Sequence, residues 1–227
     1  MNPSSESGKK PQSLRARVKE AGRATILDAA EELIAEQGLR SVRMEDIATR
    51  VGVSVGTLYN YFKDRQQLLT ALFDLRGGEL LALLQEELKR GQGLGYRERL
   101  GAFLRCILEY IRGHFRLFSV RFEDGMRHGP SHERDVDRHH ELWTEVRRCI
   151  DHLNEEGVRQ GVLRPEDTRH YAVLLLSLVR GVLVEQFRTQ EPSPTDEAIA
   201  LLLRTFLDGA SPRPPSSPQT PTRGAAR

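Results

Sequence analysis

Apolar residues recur along this chain at spacings of three and four, the period of one helix face, with charged residues filling the intervals. Ile26, Ala29, Ala30, Leu33 and Ile34 form the first such stripe and predict a helix from about Ser13 to Gln37, closed by Gly38. The pattern repeats over only two turns from Met44 to Val51, and Gly52 breaks it. Ser54 stands where it caps a third short helix ending near Tyr61. Asp64, with Gln67 three residues later, opens a long fourth helix through Leu68, Leu72, Leu80, Leu84 and Leu88, with a kink expected at Gly77 and Gly78.

Gly91, Gly93 and Gly95 mark the next turn, and Leu100, Phe103, Leu104, Ile107, Leu108 and Ile111 define a fifth helix. A separate segment holds Phe115, Phe118 and Phe122 and closes at Gly129 and Pro130. A further helix is predicted from about Glu133 to Gln160, another from Pro165 to about Thr189, and a last from about Thr195 to Leu207. Alternating strand patterns are missing throughout, so the predicted fold is all-α.

Composition narrows the class. With 38% apolar and 29% charged residues among 227, the chain reads as globular, and its formal charge of +2 is too small to announce nucleic acid by itself. The distribution matters more. Lys9, Lys10, Arg15, Arg17, Lys19 and Arg23 face only Glu6 and Glu20 in the first 23 residues, which makes the N-terminal end basic. Cys106 and Cys149 form no CxxC pair, against a disulfide framework or zinc finger. No apolar run approaches the roughly 20 residues that span a bilayer, and Met1 to Gly8 is polar, so a cytoplasmic protein without membrane contact is expected.

The stretch from Met44 to Lys63 carries few but well-placed apolar residues. Ile47, Ala48 and Val51 turn the second helix inward, Gly52 permits a tight turn, Val53 plugs the corner, and Leu58 with Phe62 anchors the third helix. Val55, Gly56, Thr57, Tyr59, Asn60 and Tyr61 are then expected to face outward, offering hydroxyls and an amide of the kind a major groove accepts.

This stretch closely resembles the DNA-binding domain of the TetR family, whose Gly-Thr-Leu-Tyr-x-Tyr-Phe core is matched by Gly56 to Phe62, after an Ile-Ala-x-x-x-Gly-Val helix matched from Ile47 to Val53. The resemblance covers roughly Ala16 to Leu72. It implies phosphate or base-edge contacts for Thr57, Tyr59 and Tyr61, a phosphate contact for Lys63, and a role in sequence choice for Val55, Gly56 and Asn60, beside the capping Ser54. Arg43 departs from the family's usual Thr, whose hydroxyl caps the second helix; an arginine has no acceptor for that bond but can reach phosphate as a charge.

The chain is expected to divide into four segments: a disordered basic arm over 1–12, the helix-turn-helix domain over 13–64 and the helical effector-binding and dimerisation domain over 65–209 that the resemblance implies, and a tail over 210–227 whose Pro-rich composition predicts disorder. Ala172 to Phe187 is apolar nearly all round, which demands burial on more than one side. In the TetR family the last two long helices form a four-helix bundle with a partner subunit, and Leu174, Leu178, Gly181, Val182, Leu202 and Phe206 suit such a homodimer interface. Two reading heads would match a near-palindromic operator in double-stranded DNA.

Phe103, Ile107, Phe118, Phe122, Met126 and Trp143, with Arg121, His139 and Arg180 as polar groups, are candidates to line a pocket for a small-molecule effector, or else form solid core. Arg180 alternatively reaches a carboxylate at the interface. No cofactor and no metal site are expected: His128, His132, His139 and His140 crowd one region without ligand spacing. The resemblance implies a repressor released from its operator by an effector. The competing reading is a nucleoid-associated protein without sequence preference, and an enzyme is disfavoured because no paired carboxylates, nucleophile elbow or phosphate loop is present.

Overall fold

The computed structural model describes residues 13–119, 133–189 and 194–210, all of them helix, turn or connecting loop. In chain order the helices are α1 (Leu14–Gln37), α2 (Met44–Val51), α3 (Val55–Tyr61), α4 (Arg65–Arg90), α5 (Tyr96–Gly113), α6 (described over 115–119), α7 (Glu133–Arg159), α8 (Thr168–Thr189) and α9 (Thr195–Ala210). A 3-10 turn, Pro165–Asp167, precedes α8. The tail expected over 210–227 lies outside the described residues except for Ala210, as does the arm over 1–12.

Short-range chemistry sets the helix ends. The hydroxyl of Ser13 accepts the Ala16 N–H at 3.3 Å to open α1. At the far end Gly38 sits at φ +82°, where a side chain would be strained, and its N–H closes on the Ile34 carbonyl. α4 opens with reciprocal bonds: Asp64 Oδ1 accepts the Gln67 N–H at 2.7 Å, and Gln67 Oε1 reaches back to the N–H of Lys63 at 2.7 Å. The helix then runs unbroken through Gly77 and Gly78. Arg76 and Glu79, one turn apart across the pair, are joined by a 2.9 Å ion pair.

The described residues fall into two compact units: 13–79 with 114–119 and 133–138, and 80–113 with 139–189 and 194–210. The first has a core drawn from Ile26, Leu33 and Ile34 of α1, Ile47 and Ala48 of α2, Leu58 of α3, and Leu68 and Leu72 of α4, closed by Leu117. The boundary expected at Asp64 therefore falls too early. Leu68, Leu69 and Leu72 belong to the same core as α1 to α3, so the unit cannot end before them. Its rim is tied by Arg76 of α4, which reaches Glu31 at 2.6 Å and Asp28 at 2.7 Å, both on α1, while His114 Nδ1 meets the second oxygen of Glu31 at 2.5 Å.

In the second unit α9 packs on both α5 and α8. Phe103 and Ile107 of α5, Ile150 and Leu153 of α7 and Leu175 and Leu183 of α8 are buried there. A polar network crosses this core. The Tyr96 hydroxyl donates to Asn154 Oδ1 at 2.7 Å, the Tyr96 N–H to Gln160 at 2.8 Å, and Arg99 pairs with Glu156 while donating to the Leu88 carbonyl at 3.0 Å. Pro165–Thr189 is long and apolar enough, by length and composition alone, to cross a bilayer. Here one side of it is buried within the unit at Tyr171, Ala172, Leu175, Val179, Leu183 and Phe187. Its other side leaves Val173 and Leu174 half exposed, at 48% and 52%.

Candidate DNA-binding surface

Recognition needs a helix held firmly from behind with polar side chains free in front, and α3 is built this way. Gly52 adopts φ +77°, ψ 31°, a left-handed turn open to glycine, and the N–H of Val53 bonds to the Ala48 carbonyl at 3.0 Å, which fixes the corner between α2 and α3. The Ser54 hydroxyl accepts the Thr57 N–H at 3.0 Å and lies 2.8 Å from the Thr57 hydroxyl, so both side chains are ordered before any ligand arrives. Leu58 and Phe62 are fully buried and pin the helix to the core.

The remaining residues divide by their angle from Leu58. Gly56, Tyr59 and Asn60 are exposed, Tyr59 by 46%, and Thr57 is half-buried at the edge. Val55 and Tyr61, expected to face outward, instead pack partly against the core. The spacing explains the correction: each stands three residues from Leu58 and so shares its helix face. Tyr61 runs back to α1, where its hydroxyl comes within 2.7 Å of the position a Cβ on Gly22 would take. Beside it the Arg23 guanidinium stacks 4.5 Å over the Phe62 ring.

Arg43 and Lys63 are exposed at the two ends of the surface. The Arg43 side chain makes no cap; its backbone N–H donates to Asp46 Oδ2 at 3.1 Å, the half of a capping box that an acid at the third helical position supplies. Two contributors escaped sequence reasoning. Arg65, at the start of α4, donates to the Val42 carbonyl at 2.9 Å and to that of Leu39, holding the loop that leads into Arg43. Gly22 admits Tyr61; a glycine inside a helical pattern was its visible signal. Arg50 of α2 pairs with Glu36 at 2.6 Å and Glu32 at 3.3 Å on α1, raising its pKa and lowering that of Glu36 through their shared hydrogen bond.

Of the candidate effector residues, Phe103 and Ile107 lie one turn apart in the core of the second unit, Phe118 is half-buried in the first, and Arg180 is exposed on α8. Arg121, Phe122 and Met126 lie outside the described residues, as do His128 and His132. His139, His140 and Trp143 belong to α7 by backbone, their side chains outside the described part. Among the described residues no group of three or more His, Cys, Asp or Glu is placed to hold a metal.

For the interface candidates the structure separates two kinds. Leu174 and Gly181 are exposed, and Leu178 and Val182 half-buried. Leu202 and Phe206 are buried within their own unit, at 2% and 4% exposure, with Phe206 edge-on to Tyr171 at 5.7 Å. That corrects their assignment, because area already removed from water is not available to a second chain. The exposed side of α9 carries Ala200, Leu201, Arg204 and Thr205.

Comparison with known proteins agrees with this geometry. The family model of bacterial regulatory proteins of the tetR family matches residues 26–72, and the tetracyclin repressor-like C-terminal domain matches residues 93–184. The HTH-type transcriptional repressor KstR2 of Rhodococcus jostii (strain RHA1) is 29% identical over 86% of this chain and 94% of its own length. The fatty acid metabolism regulator protein of Bacillus subtilis is 39% identical, but the match spans only 28% of this chain and 33% of that protein. Among solved structures, the fatty acid degradation regulator FadR from Bacillus halodurans superposes with a TM-score of 0.71 at 20% identity, covering 88% of this chain and 98% of that one. The transcriptional regulator FadR from Bacillus subtilis in complex with stearoyl-CoA gives 0.69 at 21% identity, covering 82% and 98%. With both halves of the architecture matched by models of one family, the chain belongs to the TetR family of DNA-binding transcriptional regulators, proteins that bind operator DNA and small-molecule effectors and are not enzymes.

Proposed function

We propose that this protein acts in the cytoplasm as a homodimeric repressor that reads a near-palindromic operator and leaves it when a small molecule binds the helical second unit. The observation that carries the reading is the outward face of α3: Gly56, Tyr59 and Asn60 are free to enter a major groove while the helix is pinned by Leu58 and Phe62 and capped by Ser54. Arg43 and Lys63 supply charge for phosphates on either side, and Thr57 a hydroxyl. Dimerisation is supported by α8, whose outer side keeps Val173 and Leu174 half in water, and by α9, which leaves Leu201 exposed. The effector shifts binding only through a difference in its affinity for the operator-competent and released conformations.

The test is selection of bound duplexes from a random library by the purified protein, repeated with Asn60→Ala. An enriched, two-fold related motif that the variant fails to recover supports the reading; equal capture of all sequences overturns it in favour of a binder without sequence preference. Release is tested on the selected operator with a panel of small molecules. Stearoyl-CoA, the ligand in the Bacillus subtilis FadR structure, is the first probe.

A further inference from the structure

The basic residues of the first unit divide into those already engaged and those left to solvent. Arg50 and Arg76 are held by carboxylates, and Arg65 by carbonyls. Residues 13–21, the start of α1 and its cap, are exposed at every position and carry Arg15, Arg17 and Lys19 against Glu20. What locates this segment is the contact between Gly22 and Tyr61, which sets α1 beside the end of α3 from which Tyr59 and Asn60 project.

Helical spacing decides which cations share that side. Arg15, Lys19 and Gly22 follow one another at i, i+4 and i+7, one face of α1, whereas Arg17 points nearly opposite. At 1.5 Å per residue, Lys19 stands about 4.5 Å and Arg15 about 10 Å along the axis beyond the Tyr61 contact. From this placement we infer that the Arg15 and Lys19 face of α1 is a second DNA-binding surface, which grips the sugar-phosphate backbone flanking each half-site read by α3. It rests on the operator-binding reading above. The two side chains touch phosphates rather than base edges, so they lengthen the footprint without changing the sequence that is read.

Counterion release makes this measurable. Each phosphate contact contributes about 0.9 to the slope of log K against log salt concentration. In a dimer Arg15→Gln removes two contacts, and Lys19→Gln likewise, so each variant lowers the slope by about 1.8. Arg17→Gln changes the net charge equally and leaves the slope unchanged. Trimming the duplex to the core motif abolishes the difference between wild type and the Arg15 and Lys19 variants. Equal effects from all three substitutions, or no effect from any, overturn the inference while wild-type selection of an operator stands. Failure of the wild-type protein to select any sequence sinks the operator reading beneath it.

Discussion

The hydroxyl of Tyr61 on α3 rests against α1 at Gly22, so closely that a Cβ there would lie 2.7 Å from the oxygen and 3.2 Å from Cζ. A helix-interior glycine exchanged for alanine gains up to about 1 kcal/mol from helix propensity. Overpacking in a filled contact costs about 1–3 kcal/mol. The second effect is expected to win because the Tyr61 ring packs partly against the core, so its hydroxyl cannot retreat without disturbing that packing. Gly22→Ala is expected to lower stability by about 1 kcal/mol, and Tyr61→Phe in the same chain to restore most of the loss. Thermal unfolding of the two singles and the double decides it: a melting point raised by Gly22→Ala alone would mean the contact is loose.

Arg65 is expected to matter to operator affinity although it lies outside the reading face. Its guanidinium satisfies the carbonyls of Leu39 and Val42, and Arg65→Met leaves both without a charged donor, a loss of about 2 kcal/mol. The loop entering Arg43 loosens with it. Affinity for the selected operator should fall at least tenfold, with Arg65→Lys intermediate; titration by fluorescence anisotropy measures both.

Within the second unit, Tyr96→Phe removes the donor to Asn154 while keeping the ring. Burial raises the pKa of the Tyr96 phenol, so it remains a donor at every working pH. Both residues are buried, and among the described residues the Asn154 amide nitrogen has no hydrogen-bond partner, so the oxygen's bond to the phenol is what ties this side chain. The expected loss is about 2 kcal/mol, seen as a lower urea midpoint at unchanged m-value.

Leu174 and Leu202 should respond in opposite ways to the same substitution. Leu174 is 52% exposed and Leu202 is 2% exposed. Leu174→Glu is expected to yield a folded monomer by sedimentation and circular dichroism, because water can solvate the new charge once the partner is gone. Leu202→Glu buries a carboxylate in the unit's own core and should abolish folding. A Leu174→Glu chain that remains dimeric would remove the outer side of α8 from the interface.

Much of this architecture was legible in the residues because its signals are local. Gly52 stops α2 and Ser54 starts α3 through contacts within four residues, and Asp64 with Gln67 opens α4 in the same way. The misreadings arose where a local signal met a distant one. The Gly77–Gly78 pair does not end α4, whose helical backbone continues through it with Arg76 held to Asp28 and Glu31 across on α1. Val55 and Tyr61 read as part of a surface motif, although their three-residue distance from Leu58 turned them inward. Arg65 gave no sign at all, since its acceptor at Leu39 is 26 residues away and a guanidinium bonding to a carbonyl leaves no pattern in sequence.

The short bond between Ser54 and Thr57 has a consequence in proton counting. Two hydroxyls bring two protons, and the 2.8 Å contact between them consumes one; the Thr57 N–H occupies a lone pair on Ser54 and consumes none. Whichever oxygen donates inward, the other retains a proton aimed away from the pair. The tip of α3 thus always carries one spare donor that can move between two oxygens by a concerted rotation, without moving the backbone. In the proposed operator complex a phosphate arriving slightly high or slightly low would meet the same chemistry, so that one rigid turn would serve two half-sites that are not perfect copies of each other.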